Sequence, residues 1–240
     1  MIALVDIGNS RTKYSIVSQG QRGVIESLGN EMLSNEYLGS AFSKTNKLVV
    51  ACVSDNELTD KIESWCHKHN KIYQQVVSEK SKDGVISAYH RPIQLGVDRW
   101  LTLIAANTLH PNKNILVVDS GTATTIDLLA SDGEHQGGWI LAGIDTLFSC
   151  VLDNTSQVHA SADKSASLTF GFNSSENVNN ATWAATVGAI NLAVEQSEKQ
   201  GVVIDEILMT GGNGRSLASL LSYQCTVVED LVFIGLQAYI

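Results

Sequence analysis

Two stretches of this chain carry the same short pattern, and any fold must accommodate both. Ile2-Ala3-Leu4-Val5-Asp6-Ile7-Gly8-Asn9-Ser10 is the first, and Leu116-Val117-Val118-Asp119-Ser120-Gly121-Thr122 is the second. Each is an apolar run closed by Asp-x-Gly and a small polar residue. Hydroxyl-bearing residues follow both times, Ser10 and Thr12 in one copy, Thr124 and Thr125 in the other. Such a run reads as a buried β-strand. The Asp at its end projects beyond the sheet edge, and the Gly permits a tight turn and close approach to the backbone. A single Asp-x-Gly turn carries little information. Two copies point to two similar half-domains whose acidic turns face one cleft, a setting suited to a metal–triphosphate complex.

The elements around each copy follow the same order. In the first half, strands are predicted at 2–7, 13–18 and 23–28, a helix at 30–43, a strand at 47–53, a helix at 56–69 and a strand at 72–77. Ser78 to Gln94 is polar, holds Pro92 and reads as a loop over a site. A strong amphipathic helix over 96–109 connects the halves and stops at His110-Pro111-Asn112. The second half has strands at 115–120, 124–129 and 136–141, a helix at 143–155, a polar loop at 156–173 and a long helix at 174–199. Strand 206–210, the turn Gly211-Gly212-Asn213-Gly214, a short helix, strand 225–228 and a helix from Asp230 follow. The order is βββαβαβ twice, in half-domains 1–110 and 111–240 that no low-complexity linker separates.

Composition narrows the class. With 44% hydrophobic and 17% charged residues, the chain is globular rather than disordered. No apolar run is long enough to span a membrane, and the chain opens on a strand rather than a signal peptide. A cytoplasmic protein is expected, with no membrane partner. A net charge of -9 argues against a nucleic-acid binder, which needs a basic stripe. An acidic chain that binds a triphosphate needs positive charge from elsewhere, and bound metal ions are the natural source. Cys52, Cys66, Cys150 and Cys225 show no Cys-x-x-Cys spacing and read as free thiols in a reducing compartment. Cys66-His67-Lys68-His69 lacks the further ligands of a structural zinc site.

Three segments carry the chemistry. In Asp6-Ile7-Gly8-Asn9-Ser10-Arg11-Thr12-Lys13, turn N–H groups, two hydroxyls and a Lys can surround phosphate oxygens. Asp6 can hold Mg²⁺, directly or through water, because Mg²⁺ keeps most of its hydration shell. A plain hairpin with a turn-capping Asp is the bland alternative. In Asp119-Ser120-Gly121-Thr122-Ala123-Thr124-Thr125-Ile126-Asp127, Asp119 ends a purely apolar run. An unpaired carboxylate is costly to bury there, so a cation is a sensible partner; a half-exposed Thr-rich hairpin is the alternative. In Tyr89-His90-Arg91-Pro92-Ile93-Gln94-Leu95-Gly96-Val97-Asp98-Arg99, Asp98 and Arg99 fall in the first turn of the connector helix. Asp there favours the helix dipole, which is the bland reading; Arg gains nothing from it. An Arg at a helix start suits an anionic ligand, since guanidinium pairs bidentately with carboxylate. Asp98 beside it can accept a proton from a substrate hydroxyl.

The duplicated order with paired Asp-x-Gly turns resembles the actin-like ATPase (ribonuclease H-like) superfamily, which implies an α/β fold of two βββαβαβ half-domains with a cleft between them. The combination of motifs resembles the type III pantothenate kinase family. Asp6-x-Gly8-Asn9 with Lys13 matches its first phosphate motif. Tyr89-x-x-Pro92-x-x-Leu95-Gly96-x-Asp98-Arg99 matches its pantothenate motif, and Asp119-x-Gly121-Thr122-Ala123-x-Thr125-x-Asp127 its second phosphate motif. Gly137-Gly138-x-Ile140 with Gly143, and Gly171-x-Asn173-Ser174 at a helix start, match further segments. The segment from Tyr89 to Arg99 is the specific one; the turns are shared across the superfamily. The resemblance implies ATP-dependent phosphorylation of pantothenate, the first step toward coenzyme A. It implies Asp98 as general base, Asp119 on a monovalent cation (K⁺ or NH₄⁺), and Mg²⁺ with ATP. It places Asp6, Ile7, Gly8, Asn9, Ser10, Arg11, Thr12, Lys13 and Thr122 at ATP, and Tyr89, Gly96, Val97, Asp98, Arg99 and Ser174 at pantothenate. Ser10 and Ser174 stand where the family usually has Thr, Ala142 replaces a Pro, and Asn177 to Ala181 match loosely. A sugar kinase or polyphosphate hydrolase would share both turns without needing the Tyr89–Arg99 segment, and a non-catalytic transcription-regulatory relative would share the fold.

The family is homodimeric, and helix spacing adds to that expectation. Val178, Ala181, Ala184, Ala185, Gly188, Ala189 and Leu192 give helix 174–199 a wide, small, apolar face. The connector helix offers Trp100, Leu101, Leu103, Ile104 and Ala105, more than one face needs. The alternative is that both helices bury these faces within their own half-domains.

Overall fold

A computed structural model describes residues 1–54, 56–161 and 165–240. The chain forms two compact units. One comprises Met1–Asp83, Tyr89–Ala105 and Leu231–Ile240, the other Gly84–Ala88 and Ala106–Asp230. A single cut near 110 therefore misses two exchanges. The last helix returns to the first unit, and a five-residue stretch before Tyr89 belongs to the second.

The first unit is built on β1 (Ile2–Ile7), β2 (Arg11–Ser18), β3 (Gln21–Arg22), β4 (Glu26–Gly29), α1 (Asn35–Phe42), β5 (Lys47–Cys52), α2 (Asn56–Lys68) and β6 (Ile72–Gln75). Its sheet runs β3-β2-β1-β5-β6, with β4 also on β2. β1 pairs antiparallel with β2 and parallel with β5. Ala3, Val5 and Ile7 pack with Leu38, Phe42, Ile62 and Trp65 of α1 and α2. Leu4 packs on the opposite face with Val97, Leu101, Phe233 and Leu236. Helices thus cover both faces, so the strand reads as a continuous apolar run rather than an alternating one. The strand predicted at 23–28 begins only at Glu26, with β3 a separate short strand before it, and the helix predicted from 30 begins at Asn35, capped by the Ser34 hydroxyl accepting from Tyr37 N–H at 3.1 Å.

Ser78 to Gln94 is not a plain loop. It holds the short strands β7 (Ser81–Lys82) and β8 (Val85–Ile86) and a 3₁₀ turn at Pro92–Gln94, before helix α3 (Val97–Leu109). Two-residue strands fall below any periodicity signal. The second unit has β9 (Ile115–Ser120), β10 (Ala123–Leu129), β11 (His135–Ala142), α4 (Ile144–Asp153), α5 (Ser174–Lys199), β12 (Glu206–Thr210), α6 (Gly214–Leu220) and β13 (Thr226–Val227); α7 (Leu231–Leu236) follows in the first unit. Its sheet runs β11-β10-β9-β12-β13, with β9 antiparallel to β10 and parallel to β12. Each unit therefore centres on a strand ending in Asp-x-Gly, and the duplication read from the sequence is a duplication of sheet topology. Among the described residues no helix is long and apolar enough to cross a membrane.

Candidate active site

In the first unit, the end of β1 and the start of β2 form the first acidic turn. Asp6 lies opposite Lys13 in the ladder, so both project from one face. By alternation this is the face of Leu4, on which α3 packs. The Gly8 N–H donates to the Arg11 carbonyl at 3.0 Å and closes the turn. Asn30 then braces it. The Asn30 amide donates to the carbonyls of Gly8 (2.9 Å) and Asn9 (3.3 Å), and its oxygen accepts from the Thr12 hydroxyl at 2.9 Å. In a planar trans peptide the N–H points opposite the carbonyl. The N–H groups of Asn9 and Ser10 therefore point away from Asn30, the orientation an anion nest requires. Thr12 is fully buried, and its hydroxyl supports the turn through Asn30. Asn30 was not legible as a functional residue: a lone Asn before a helix reads as a cap.

The segment from Tyr89 to Arg99 is also in the first unit. The Ser78 hydroxyl donates to the Leu95 carbonyl at 2.8 Å and fixes the approach to α3. Asp98 accepts from the Arg99 N–H at 2.7 Å, which orients its carboxylate at the helix N-terminus. A Cβ at Gly96 would lie 2.6 Å from that carboxylate oxygen, so glycine there keeps the space open. Arg99 is buried, with its guanidinium donating to the Tyr89 hydroxyl at 3.0 Å and lying 5.9 Å from the ring centroid. Val97 is buried among Leu4 and Leu101 and anchors the helix. The expected neighbours Tyr89, Gly96, Asp98 and Arg99 therefore do form one cluster. The sequence did not reveal that Arg99 is sequestered by Tyr89 rather than held out to solvent.

In the second unit, Asp119 stands at the end of β9 opposite Thr125 and Thr210. Gly211 adopts φ +82°, and a Cβ built on it would collide with the Asp119 carboxylate and the Ser120 carbonyl. The glycine lets the turn approach these two hard oxygens closely, and oxygens of this kind are the donors a hard cation takes. Gly121 N–H donates to the Ala123 carbonyl at 2.9 Å. The exposed Thr122 has its carbonyl occupied by the Gly143 N–H (3.0 Å) and the Thr146 hydroxyl (2.8 Å). A Cβ at Gly143 would strike the Gly121 carbonyl, so Gly143 allows α4 to start against this turn. Ser174 is the first residue of α5 and is exposed. The helix start is fixed by a reciprocal cap: Glu176 N–H donates to the Asn173 side chain at 2.9 Å, and the Glu176 carboxylate accepts from the Asn173 amide and Phe172 N–H.

Cys66 to His69 do not converge. Cys66 is buried, and burial pushes its thiol up to about 11, while His69 stacks on Trp65. Among the described residues no group of three or more His, Cys, Asp or Glu is placed to hold a metal. A single carboxylate with backbone oxygens and water remains compatible with the Mg²⁺ and monovalent sites read at Asp6 and Asp119.

Residues 2–196 match the family described as type III pantothenate kinase. The chain is 46% identical to a type III pantothenate kinase of Colwellia psychrerythraea, covering all of both chains. It is 33% identical to one of Pseudoalteromonas translucida, covering 90% of this chain and 87% of that one. MreB5 of Spiroplasma citri bound to ADP is similar in fold alone, with a TM-score of 0.54 at 8% identity, covering 99% of this chain and 95% of that one. The two sheets, the paired acidic turns and the full-length likeness agree: this chain belongs to the type III pantothenate kinase family.

Proposed function

We propose that this enzyme transfers the γ-phosphoryl group of ATP to the primary hydroxyl of pantothenate, giving 4'-phosphopantothenate, with Asp98 as general base and Arg99 as carboxylate clamp. The observation that carries the residue roles is the pairing of Asp98 and Arg99 on the first turn of α3, with Tyr89 on the guanidinium. Asp98 accepts the hydroxyl proton as the phosphoryl group moves. Arg99 and the Tyr89 hydroxyl form a two-donor site for the pantothenate carboxylate, the Tyr hydroxyl turning from Arg99 to the ligand. Ser174 contributes a hydroxyl to pantothenate. Asp6, Ile7, Gly8, Asn9, Ser10, Arg11, Thr12 and Lys13 form the first phosphate turn, and Thr122 belongs to the second. Mg²⁺ at Asp6 and K⁺ or NH₄⁺ at Asp119 supply positive charge that a chain of net charge -9 lacks. The reading includes a cytoplasmic location, where the free thiols persist. A phosphoryl-transfer assay against pantothenate and a panel of sugars tests it; turnover of a sugar and not of pantothenate would overturn it.

The cation role makes a separate prediction. Replacing K⁺ by a large organic cation at equal ionic strength is expected to suppress turnover. Asp119→Asn should do the same in K⁺ buffer, and Gly211→Ala should weaken the K⁺ response by crowding the carboxylate. Indifference of the parental enzyme to the cation would remove Asp119 from this role.

The enzyme is further proposed to be a homodimer, through α5. Ala181, Ala184, Ala185, Gly188 and Leu192 are exposed in the single chain, so this face is not consumed by its own unit. In the same unit Trp139, Ile140, Phe170 and Phe172 are also exposed. Helix α3 adds no such face. Trp100, Leu101, Leu103, Ile104 and Ala105 are all buried within the chain and offer a partner nothing. An interface on the order of 2,000 Å² or more is expected. A stable, fully active monomer in sedimentation at low concentration would refute it.

A further inference from the structure

The first unit is completed by residues far from it in sequence, and these residues grip α3 just behind its first turn. Gly235 of α7 lies so close to α3 that a Cβ there would collide with the Leu101 backbone. Phe233 and Leu236 pack with Val97 and Leu101. Beyond α7, Tyr239 is held on every side. Its hydroxyl accepts from the Trp100 indole N–H at 3.0 Å and donates to the Glu79 carboxylate at 2.8 Å. Its carbonyl accepts from Lys47 at 3.0 Å, and Lys82 lies 5.1 Å from its ring centroid. Burial and the Glu79 hydrogen bond push the phenol well above its ordinary range, so it stays a donor. Trp100 is fully buried and immediately follows Arg99.

We infer that Tyr239 is a positioning residue for pantothenate. Through the Trp100 indole it sets the rotation and height of the first turn of α3, and with it Asp98 and Arg99. The hydroxyl also ties the helix to Glu79, on the segment that follows β6. A packing residue alone would need no hydroxyl here. Loss of the hydroxyl removes the partner of an indole on a fully buried side chain, and the helix shifts to relieve it. The first phosphate turn, braced separately by Asn30, is untouched.

The inference rests on the proposed roles of Asp98 and Arg99, and the experiment separates the two. Tyr239→Phe keeps the ring and removes the bridge. Its kcat/KM for pantothenate is expected to fall about tenfold, a loss of the size of one unpaired buried donor. KM for ATP should stay within about twofold. Glu79→Gln retains an acceptor and should behave as the parent. Arg99→Lys serves as the control for the site itself, because Lys cannot form the bidentate pair. If Arg99→Lys raises KM for pantothenate while Tyr239→Phe leaves both substrates unchanged, the bridge has no positioning role. Equal losses for ATP and pantothenate in Tyr239→Phe, together with a lowered Tm, would likewise reduce Tyr239 to a structural residue. If Arg99→Lys raises KM for ATP instead, the placement of the substrates fails, and the assignment of Tyr239 to pantothenate fails with it.

Discussion

Asp98→Asn is expected to lower kcat by about 10²–10⁴-fold, the usual worth of a general base, while leaving the fold intact. The reason lies in the two jobs of the carboxylate. One oxygen accepts the Arg99 N–H at 2.7 Å and closes the start of α3. An Asn oxygen accepts that hydrogen bond equally well, so the helix start survives. The amide cannot take the proton from the pantothenate hydroxyl, and only this function is removed. Tm should therefore stay near the parental value, and KM for pantothenate should change little because Arg99 is untouched. A variant with near-parental kcat would remove Asp98 from the base role. A collapse of kcat together with Tm would show that the carboxylate is structural.

His135→Leu is expected to cost about 3 kcal/mol of stability, the range for breaking a buried pair on one side. That corresponds to a fall in Tm of roughly 6–12 °C for a chain of this size. The ring nitrogen Nε2 of His135 lies 2.9 Å from the Asp127 carboxylate, and both side chains are inaccessible to water. A register shift between Asp127 and Leu129 in the β10–β11 ladder accompanies this pairing, and such irregularities re-aim side chains. Removing the ring takes a partner from a carboxylate that water cannot reach. The double variant Asp127→Leu/His135→Leu should recover much of the loss, since an apolar pair replaces a buried polar one at little net cost. An unchanged Tm in the single variant would show that the pair contributes nothing.

The outline of the fold was legible because burial on both faces leaves its mark on sequence. β1, β5, β9 and β12 are buried along both faces, so they read as unbroken apolar runs, and their predicted limits match to within a residue. The long helix α5 was legible for a related reason: 26 residues give the 3.6-residue period room to repeat, and Asn173 marks its start. Asp98 and Arg99 stood out in the sequence as candidates because an Arg in a helix's first turn opposes the local dipole and so asks for another explanation. Short pieces were not. β7 and β8, two residues each, carry no period.

What the sequence by itself determined is whatever repeats or lies close along the chain: two acidic turns, the element order, and the adjacency of Gly96, Asp98 and Arg99. What only the tertiary structure decided is whatever joins residues far apart. Asn30 bracing the turn at Gly8, His135 meeting Asp127 across a shifted ladder, Gly211 approaching Asp119 closely, and Tyr239 reaching Trp100 all depend on contacts between separate segments. A single sequence records the residue type at such a position but not its partner. An Asn, His, Gly or Tyr has an ordinary local use as cap, core residue, turn or packing ring. Only the folded geometry selects among these uses, because a hydrogen bond or a steric gap is fixed by distances of a few ångströms that sequence separation does not encode.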